Sequence, residues 1–208
     1  LIKAIVFDWD GTIFNSMKYK RNNYIILFER FGKSRQELLQ FHKKQSGIPR
    51  KELFQKTYEF CTNNRLTEQD LIDLSKQYTE LNLKASRFES CFPDAQEFLS
   101  LNKNRLLFVS SSSAPDELIH VSESSGVKES FEEILGSKPG FSKGPEHIEY
   151  ICQNYKLSLN EIIMVGDDEQ DITLAGKAGI ESLRVVRDQM YSGLNIIHSL
   201  MELKKYVT

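Results

Sequence analysis

Proline and glycine are scarce in this 208-residue chain, at 5 and 11 residues, which excludes collagen-like and Pro/Gly-rich low-complexity sequences. Hydrophobic residues at 40% and charged residues at 27% place it instead among globular proteins. A chain of this length buries roughly two-thirds of its unfolded surface, so it folds without metal or disulfides. There are only three cysteines, Cys61, Cys91 and Cys152. An odd number with no CxxC or Cys-to-His metal spacing excludes a disulfide framework and fits a reducing compartment. No apolar run approaches the roughly 18 residues of a membrane span, and Ala4 to Phe7 ends in Asp8 rather than at a signal-peptide cleavage site. A cytoplasmic protein with no membrane partner is expected.

Charge of one sign is also lacking: 27 Lys plus Arg stand against 29 Asp plus Glu, a net charge of -2. This excludes the broad positive field that nucleic-acid backbones require, so no nucleic-acid partner is expected, although a few local lysines can hold a small anion. The longest basic runs, Lys43-Lys44 and Lys204-Lys205, are too short for a polybasic anchor. There is no GxGxxG and no GxxxxGK[ST], so ATP is not expected as a phosphate donor. His42, His120, His147 and His198 have neither HExxH spacing nor a mutual cluster and read as structural or surface residues. His147 alone lies one helical turn after Lys143.

What is present is an alternation. The opening IKAIVFDWDGT is a continuous apolar strand stopping at two acids and a glycine turn, as a parallel strand buried on both faces does. Similar segments are Asn104 to Val109, Glu133 to Leu135, Ile162 to Val165 and Ser182 to Val186. Helical patterns follow Pro93-Asp94 and Pro115, and Ile148, Ile151, Cys152 and Tyr155 recur at helical spacing. Strand and helix in alternation predict a parallel sheet with helices on both faces.

The stretch from about Ser16 to Arg87 breaks this rhythm and reads as helices only. Tyr24, Leu27, Phe28 and Phe31 form one apolar stripe, and Leu71, Leu74, Tyr78 and Leu81 another. Ser34 with Glu37, and Thr67 with Asp70, have capping-box spacing, and Pro49, after Gly47-Ile48, sits where a helix can begin. The predicted organisation is an α/β core domain over 1–15 and 88–208 with an inserted all-helical lid over 16–87. Gly193 and the Ile196, Ile197, Leu200, Met201 pattern predict a turn and a docked C-terminal segment.

In open α/β sheets ligands bind beyond the carboxyl ends of the strands, and the unusual polar residues fall there: Asp8 and Asp10, Ser110, and Asp167 with Asp171. Bunched carboxylates repel one another unless a cation is present. Oxygen ligands from Asp8, the backbone carbonyl of Asp10, and Asp167 suit Mg²⁺, which prefers phosphate as a further partner. Trp9, between the two acids, points to the opposite side of its strand and reads as packing.

These motifs resemble those of the haloacid dehalogenase (HAD) superfamily, in order: Asp8-Trp9-Asp10-Gly11-Thr12 for DxDGT, Leu107 to Ser110 for the apolar strand ending in Ser or Thr, a lysine opening a helix, and Gly166-Asp167 to Asp171 for GDxxxD. The family's lysine stands about 24 or 25 residues before the last motif's Asp. Lys143 precedes Asp167 by 24 positions and Lys138 by 29, so Lys143 is assigned. The resemblance implies a Rossmann-like parallel-sheet core with a helical cap of the phosphoglycolate phosphatase or β-phosphoglucomutase-like branch. One departure lies downstream, where Asn15-Ser16 replaces the family's frequent Asp-Ser, which touches hydrogen bonding near the cap junction.

The resemblance further implies roles. Asp8 is the nucleophile that forms an aspartyl phosphate, and Asp10 protonates the leaving alcohol and then activates water. Ser110 and Lys143, with Mg²⁺, neutralise the transferring oxygens. Thr12 and Ser111 assist at the phosphate, and Asp168 and Asp171 support the metal or Lys143. Related dehalogenases lack an acid at the position of Asp10, and phosphonate hydrolases carry Ala there, so DWDGT favours phosphoryl transfer. Lys20 and Arg50 in the cap are expected to read the rest of a small phosphorylated metabolite. The expected protein is a Mg²⁺-dependent phosphomonoester hydrolase, a monomer or weak homodimer. The alternatives are a sugar phosphomutase with the same two acids, and a non-catalytic phosphate-ligand or protein-binding module.

Overall fold

A computed structural model describes residues 1–45, 48–188 and 190–207. It forms two compact units, residues 1–15 with 89–208, and residues 16–88, the second junction falling one residue later than the break in strand–helix alternation suggested. Gly47, in the turn read ahead of Pro49, lies outside the described residues.

The first unit is an α/β layer structure. Its strands are β1 (Ala4–Phe7), β2 (Leu106–Ser111), β3 (Glu133–Gly136), β4 (Ile162–Gly166), β5 (Glu181–Val185) and β6 (Ile196–Ile197), in one sheet of order β3-β2-β1-β4-β5-β6. Every pairing is parallel. All four residues of β1 are buried, so its unbroken apolar run reflects cover on both faces. Alternate side chains separate to opposite faces. Ala4, Val6, Phe108 and Met164 join Ile148 and Ile151 of a helix at Pro145–Tyr155 and Ala175 of a helix at Glu169–Ala178. On the other face Phe7 meets Phe98, of the helix Pro93–Leu101, edge-on at 5.8 Å between ring centroids. Trp9 is buried and stacks on Phe14 at 5.7 Å, a packing role.

The C-terminal segment read as docked contributes a sixth strand. Arg184 N–H donates to the Asn195 carbonyl and Val186 N–H to that of Ile197, both at 2.8 Å. Leu200 and Leu203 of the 3₁₀ turn that follows are buried. Two residues are too few to show strand periodicity in a sequence.

The second unit is built from α-helices at Met17–Phe28, Arg35–Lys44, Arg50–Thr62 and Glu68–Ser86. Both predicted capping boxes form, Ser34 with Glu37 and Thr67 with Asp70. The core gathers Tyr24, Leu27, Phe28, Leu38, Phe54, Leu74 and Tyr78, with Phe28 and Phe54 at 5.2 Å between centroids. Buried polar groups pair inside it. Asn23 Nδ2 donates to Asn82 Oδ1 at 3.0 Å, and the Tyr24 and Thr57 hydroxyls lie 2.8 Å apart. Burial of those amides is tolerated because each finds a partner. Asn82, adjacent to the half-buried Leu81, completes the inward face in a way the apolar stripe alone did not reveal.

Phe54 is fully buried at the centre of the helical unit. Phe54→Ala is expected to cost about 3–5 kcal/mol of that unit's stability through lost transfer energy and a residual cavity, whereas Ile72→Ala, on a residue 47% exposed, stays within about 0.5 kcal/mol. Urea unfolding of the whole chain, followed by far-UV circular dichroism, measures both.

Candidate active site

The sheet register sets the site. Phe7 is level with Val109 on one side and Val165 on the other, so Asp8, Ser110 and Gly166 leave three neighbouring strands side by side. Asp8 N–H still donates to the Val165 carbonyl at 2.8 Å, which holds the first acid to the sheet edge. The chain then turns sharply. The Trp9 carbonyl accepts from the N–H groups of Ile13 and Phe14, each at 3.0 Å. Gly11 takes φ +82°, and a Cβ there would stand 2.3 Å from Asp167 Oδ2. Only glycine satisfies both the left-handed backbone and that approach.

Lys143 enters from the loop before the helix Pro145–Tyr155. Its N–H donates to Ser137 Oγ at 3.0 Å, and that hydroxyl donates to the Ser111 carbonyl at 2.9 Å. Gly144, at φ +103°, then redirects the chain into the helix. Lys143 Nζ lies 2.6 Å from Asp8 Oδ1 and 2.5 Å from Asp171 Oδ1. Burial opposes the lysine's charge, but these two carboxylates outweigh it and raise its pKa, so the ammonium stays protonated. Lys138, the competing lysine, is exposed and lies 5.5 Å from the Phe141 ring.

Carboxylate oxygens of Asp8, Asp167 and Asp171 lie within 4.8 Å of one another. Burial, then Asp171, Asp167 and Asp10, push the Asp8 pKa well above the usual carboxylate range against the pull of Lys143. Burial and Asp171 push Asp167 up to about 7, again with Lys143 opposing. A single ammonium therefore leaves negative charge that a hard divalent cation offsets, and an all-oxygen donor set suits Mg²⁺. These residues fit that ion.

The sequence-predicted residues divide as follows. Asp8, Lys143, Asp167 and Asp171 converge. The Asp10 carboxylate accepts from Ser113 Oγ at 2.8 Å, and the carboxylate that clusters with those of Asp8 and Asp167 is that of Asp171. Ser110 and Ser111 are buried at the end of β2, and Thr12 is buried with its Oγ1 making no hydrogen bond. Asp168 caps the helix Glu169–Ala178, its Oδ1 accepting from Gln170 N–H at 2.9 Å. Lys20 and Arg50 belong to the helical unit. The Lys20 carbonyl accepts from Tyr78 Oη at 3.1 Å, and Arg50 Nη1 donates to Thr79 Oγ1 at 2.9 Å.

Several supporting residues were not singled out from sequence. Ser113 belongs to the serine run after β2, and Arg187 follows the end of β5. Arg187 donates to the carbonyls of Gly11 at 2.9 Å and Thr12 at 2.8 Å, pairs with Asp94 at 3.0 Å, and lies 3.8 Å from the Phe92 ring centroid. Arg184 Nε donates to the Asp167 carbonyl at 2.9 Å. Two arginines thus hold the backbone of two acidic loops.

Residues 5–185 match the family model described as haloacid dehalogenase-like hydrolase. The chain belongs to this family. Solved structures of similar fold include a haloacid dehalogenase-like hydrolase from Streptococcus pneumoniae, 20% identical over 100% of this chain and 99% of that one, with a TM-score of 0.76. A Haemophilus somnus protein described as a predicted phosphoglycolate phosphatase is 19% identical over 100% and 98%, with a TM-score of 0.77. An L-2-haloacid dehalogenase from Xanthobacter autotrophicus is 18% identical over 100% and 98%, at 0.64. At such identities the likeness is one of fold. No curated protein matches the chain. The haloacid dehalogenase-like fold and the aspartate cluster make the chain an enzyme of the phosphatase type. Among the described residues no helix is long and apolar enough to cross a membrane.

Lys143→Ala is expected to lower kcat/KM for an aryl phosphate by about 100-fold or more, since it removes a charge aimed at the reacting centre. Lys138→Ala should change it less than about twofold, as exposed substitutions away from a site do little. Steady-state kinetics of both variants, with circular dichroism to verify folding, decides between the lysines, and equal losses would refute the assignment.

Proposed function

We propose that the chain is a Mg²⁺-dependent phosphomonoester hydrolase acting on a small phosphorylated metabolite through an aspartyl phosphate on Asp8. The observation that carries this reading is the pairing of a lysine-held acid with a second acid two residues on. Asp8 is bound to Lys143 at 2.6 Å, and Asp10 is oriented by Ser113 at 2.8 Å. A departing halide needs no proton, whereas a departing alkoxide does, and Asp10 is the group suited to supply it.

Asp8 and Asp167, with the backbone carbonyl of Asp10, would hold the ion, and Asp171 is the third carboxylate beside them. Mg²⁺, when bound, supplies positive charge to the transferring oxygens. A carboxylate oxygen of Asp8 attacks phosphorus in line, the bond from phosphorus to the ester oxygen breaks, and Asp10 gives that oxygen its proton. Asp10, now ionised, takes a proton from water as the water oxygen attacks phosphorus. The bond from phosphorus to Asp8 breaks and inorganic phosphate leaves. Lys143 and the Ser110 hydroxyl stabilise the equatorial oxygens, and Thr12 and Ser111 are assigned to assist at the phosphate.

Two variants separate these steps. Asp8→Asn should reduce phosphate release to below about a hundredth of wild type while circular dichroism is unchanged, because the nucleophile is gone. With p-nitrophenyl phosphate, whose leaving group needs little protonation, Asp10→Asn should give a stoichiometric burst of nitrophenolate followed by slow turnover. Absence of the burst, with equal loss of both phases, would count against water activation by Asp10.

Residues 16–88 are assigned as the cap that chooses among esters, through Lys20 or Arg50, because the core groups recognise a phosphoryl group common to all of them. In a screen of small organic phosphates, Lys20→Ala and Arg50→Ala should alter ratios of kcat/KM between substrates more than hydrolysis of an aryl phosphate. Unchanged ratios in both variants remove the assignment. Interconversion of sugar-phosphate isomers with a bisphosphate activator, without phosphate release, would mark a phosphomutase instead.

A further inference from the structure

We propose that His147 is a positioning residue for the phosphoryl-binding hydroxyl of Ser110, donating from Nδ1 to Ser110 Oγ so that the serine's own proton is directed to a phosphoryl oxygen. The inference rests on the phosphomonoesterase reading of the site.

His147 lies four residues after Lys143, in the first turns of the helix Pro145–Tyr155. Its side chain is fully buried. Nδ1 lies 2.9 Å from Ser110 Oγ, and the ring packs against Phe141 at 4.5 Å between centroids. Nε2 makes no hydrogen bond. Burial, with the charge of Lys143, lowers the pKa to about 4 against the opposing pull of Glu146 and of the backbone at Phe141 and Gly136. The imidazole is therefore neutral at physiological pH, with one N–H and one bare nitrogen.

A serine hydroxyl has one proton, which rotates to suit its surroundings. Ser110 is buried and level with Asp8 across β1 and β2, so its proton has two destinations. If it turned to Nδ1, only lone pairs would face an anionic phosphoryl oxygen, which is repulsive. If Nδ1–H donates to Ser110 Oγ, the serine proton faces that oxygen and the interaction is attractive. Electrostatics at the phosphoryl oxygen thus selects the Nδ1–H tautomer. The ring, fixed by packing, turns a rotatable hydroxyl into a preorganised donor.

The test is a double-mutant cycle on the whole chain with p-nitrophenyl phosphate and Mg²⁺. Ser110→Ala should lower kcat/KM by about 100-fold, as loss of a donor to a developing anion does. His147→Leu should lower it about tenfold, and His147→Asn, whose side-chain amide can occupy the place of Nδ1, should recover to within about threefold of wild type. In the Ser110→Ala background His147→Leu should add less than about twofold, because the histidine acts through the missing hydroxyl. Nitrogen-15 NMR of wild-type protein with inorganic phosphate and Mg²⁺ should show His147 protonated at Nδ1 and bare at Nε2, a readout independent of whether the variants fold. Additive losses, Asn no better than Leu, or a proton on Nε2 overturns the proposal while wild-type turnover stands. Absence of wild-type phosphate release overturns the hydrolase reading and this proposal with it.

Discussion

Lys143 brings one positive charge against two buried carboxylates, Asp8 and Asp171, at 2.6 and 2.5 Å, and the geometry around it serves to keep those charges close. Removing one partner of a buried ion pair leaves an uncompensated charge, at a cost of about 3–5 kcal/mol. Repulsion among Asp8, Asp167 and Asp171 would otherwise push their loops apart. What resists it is a backbone with little freedom: Gly11 in a left-handed turn beneath Asp167, Ser137 fixing the amide of Lys143, and Arg184 and Arg187 bonded to loop carbonyls. The acidic cluster is held by donors on its outside and by one ammonium within.

The same constraint explains how the polar groups are shared out. Asp10 is only two residues from Asp8, and its carboxylate accepts a hydrogen bond from Ser113. The two neighbouring acids thus have different partners, Lys143 for Asp8 and Ser113 for Asp10, as suits the two different roles proposed for them. Ser110 has a neutral imidazole beside it rather than another charge, so it can offer a proton without adding to the field.

The helical unit obeys a different logic, with aromatic rings filling its interior and the Asn23–Asn82 and Tyr24–Thr57 pairs satisfying its buried polar atoms. Apolar stripes at helical spacing announced the first and last of its α-helices, and capping boxes at Ser34 and Thr67 announced two starts. The partners of its buried amides could not be read in the same way, since Asn23 and Asn82 stand 59 residues apart and meet only through helix packing.

The parallel sheet, its strand ends and the acids on them were legible in the chain because burial on both faces leaves an unbroken apolar run, and a polar residue ends it. Lys143 was told from Lys138 only through the resemblance, by the spacing that the family keeps between its lysine and the last motif's Asp. Which atoms then meet was decided by tertiary structure. The level register of β1, β2 and β4 brings Asp8, Ser110 and Gly166 together, the start of a helix sets His147 against Ser110, and Arg187 reaches back across 176 positions to the Gly11 carbonyl. Local pattern records how a segment is buried, but a hydrogen bond between distant side chains depends on register and on the approach of separate elements, and neither is written in any single stretch of sequence.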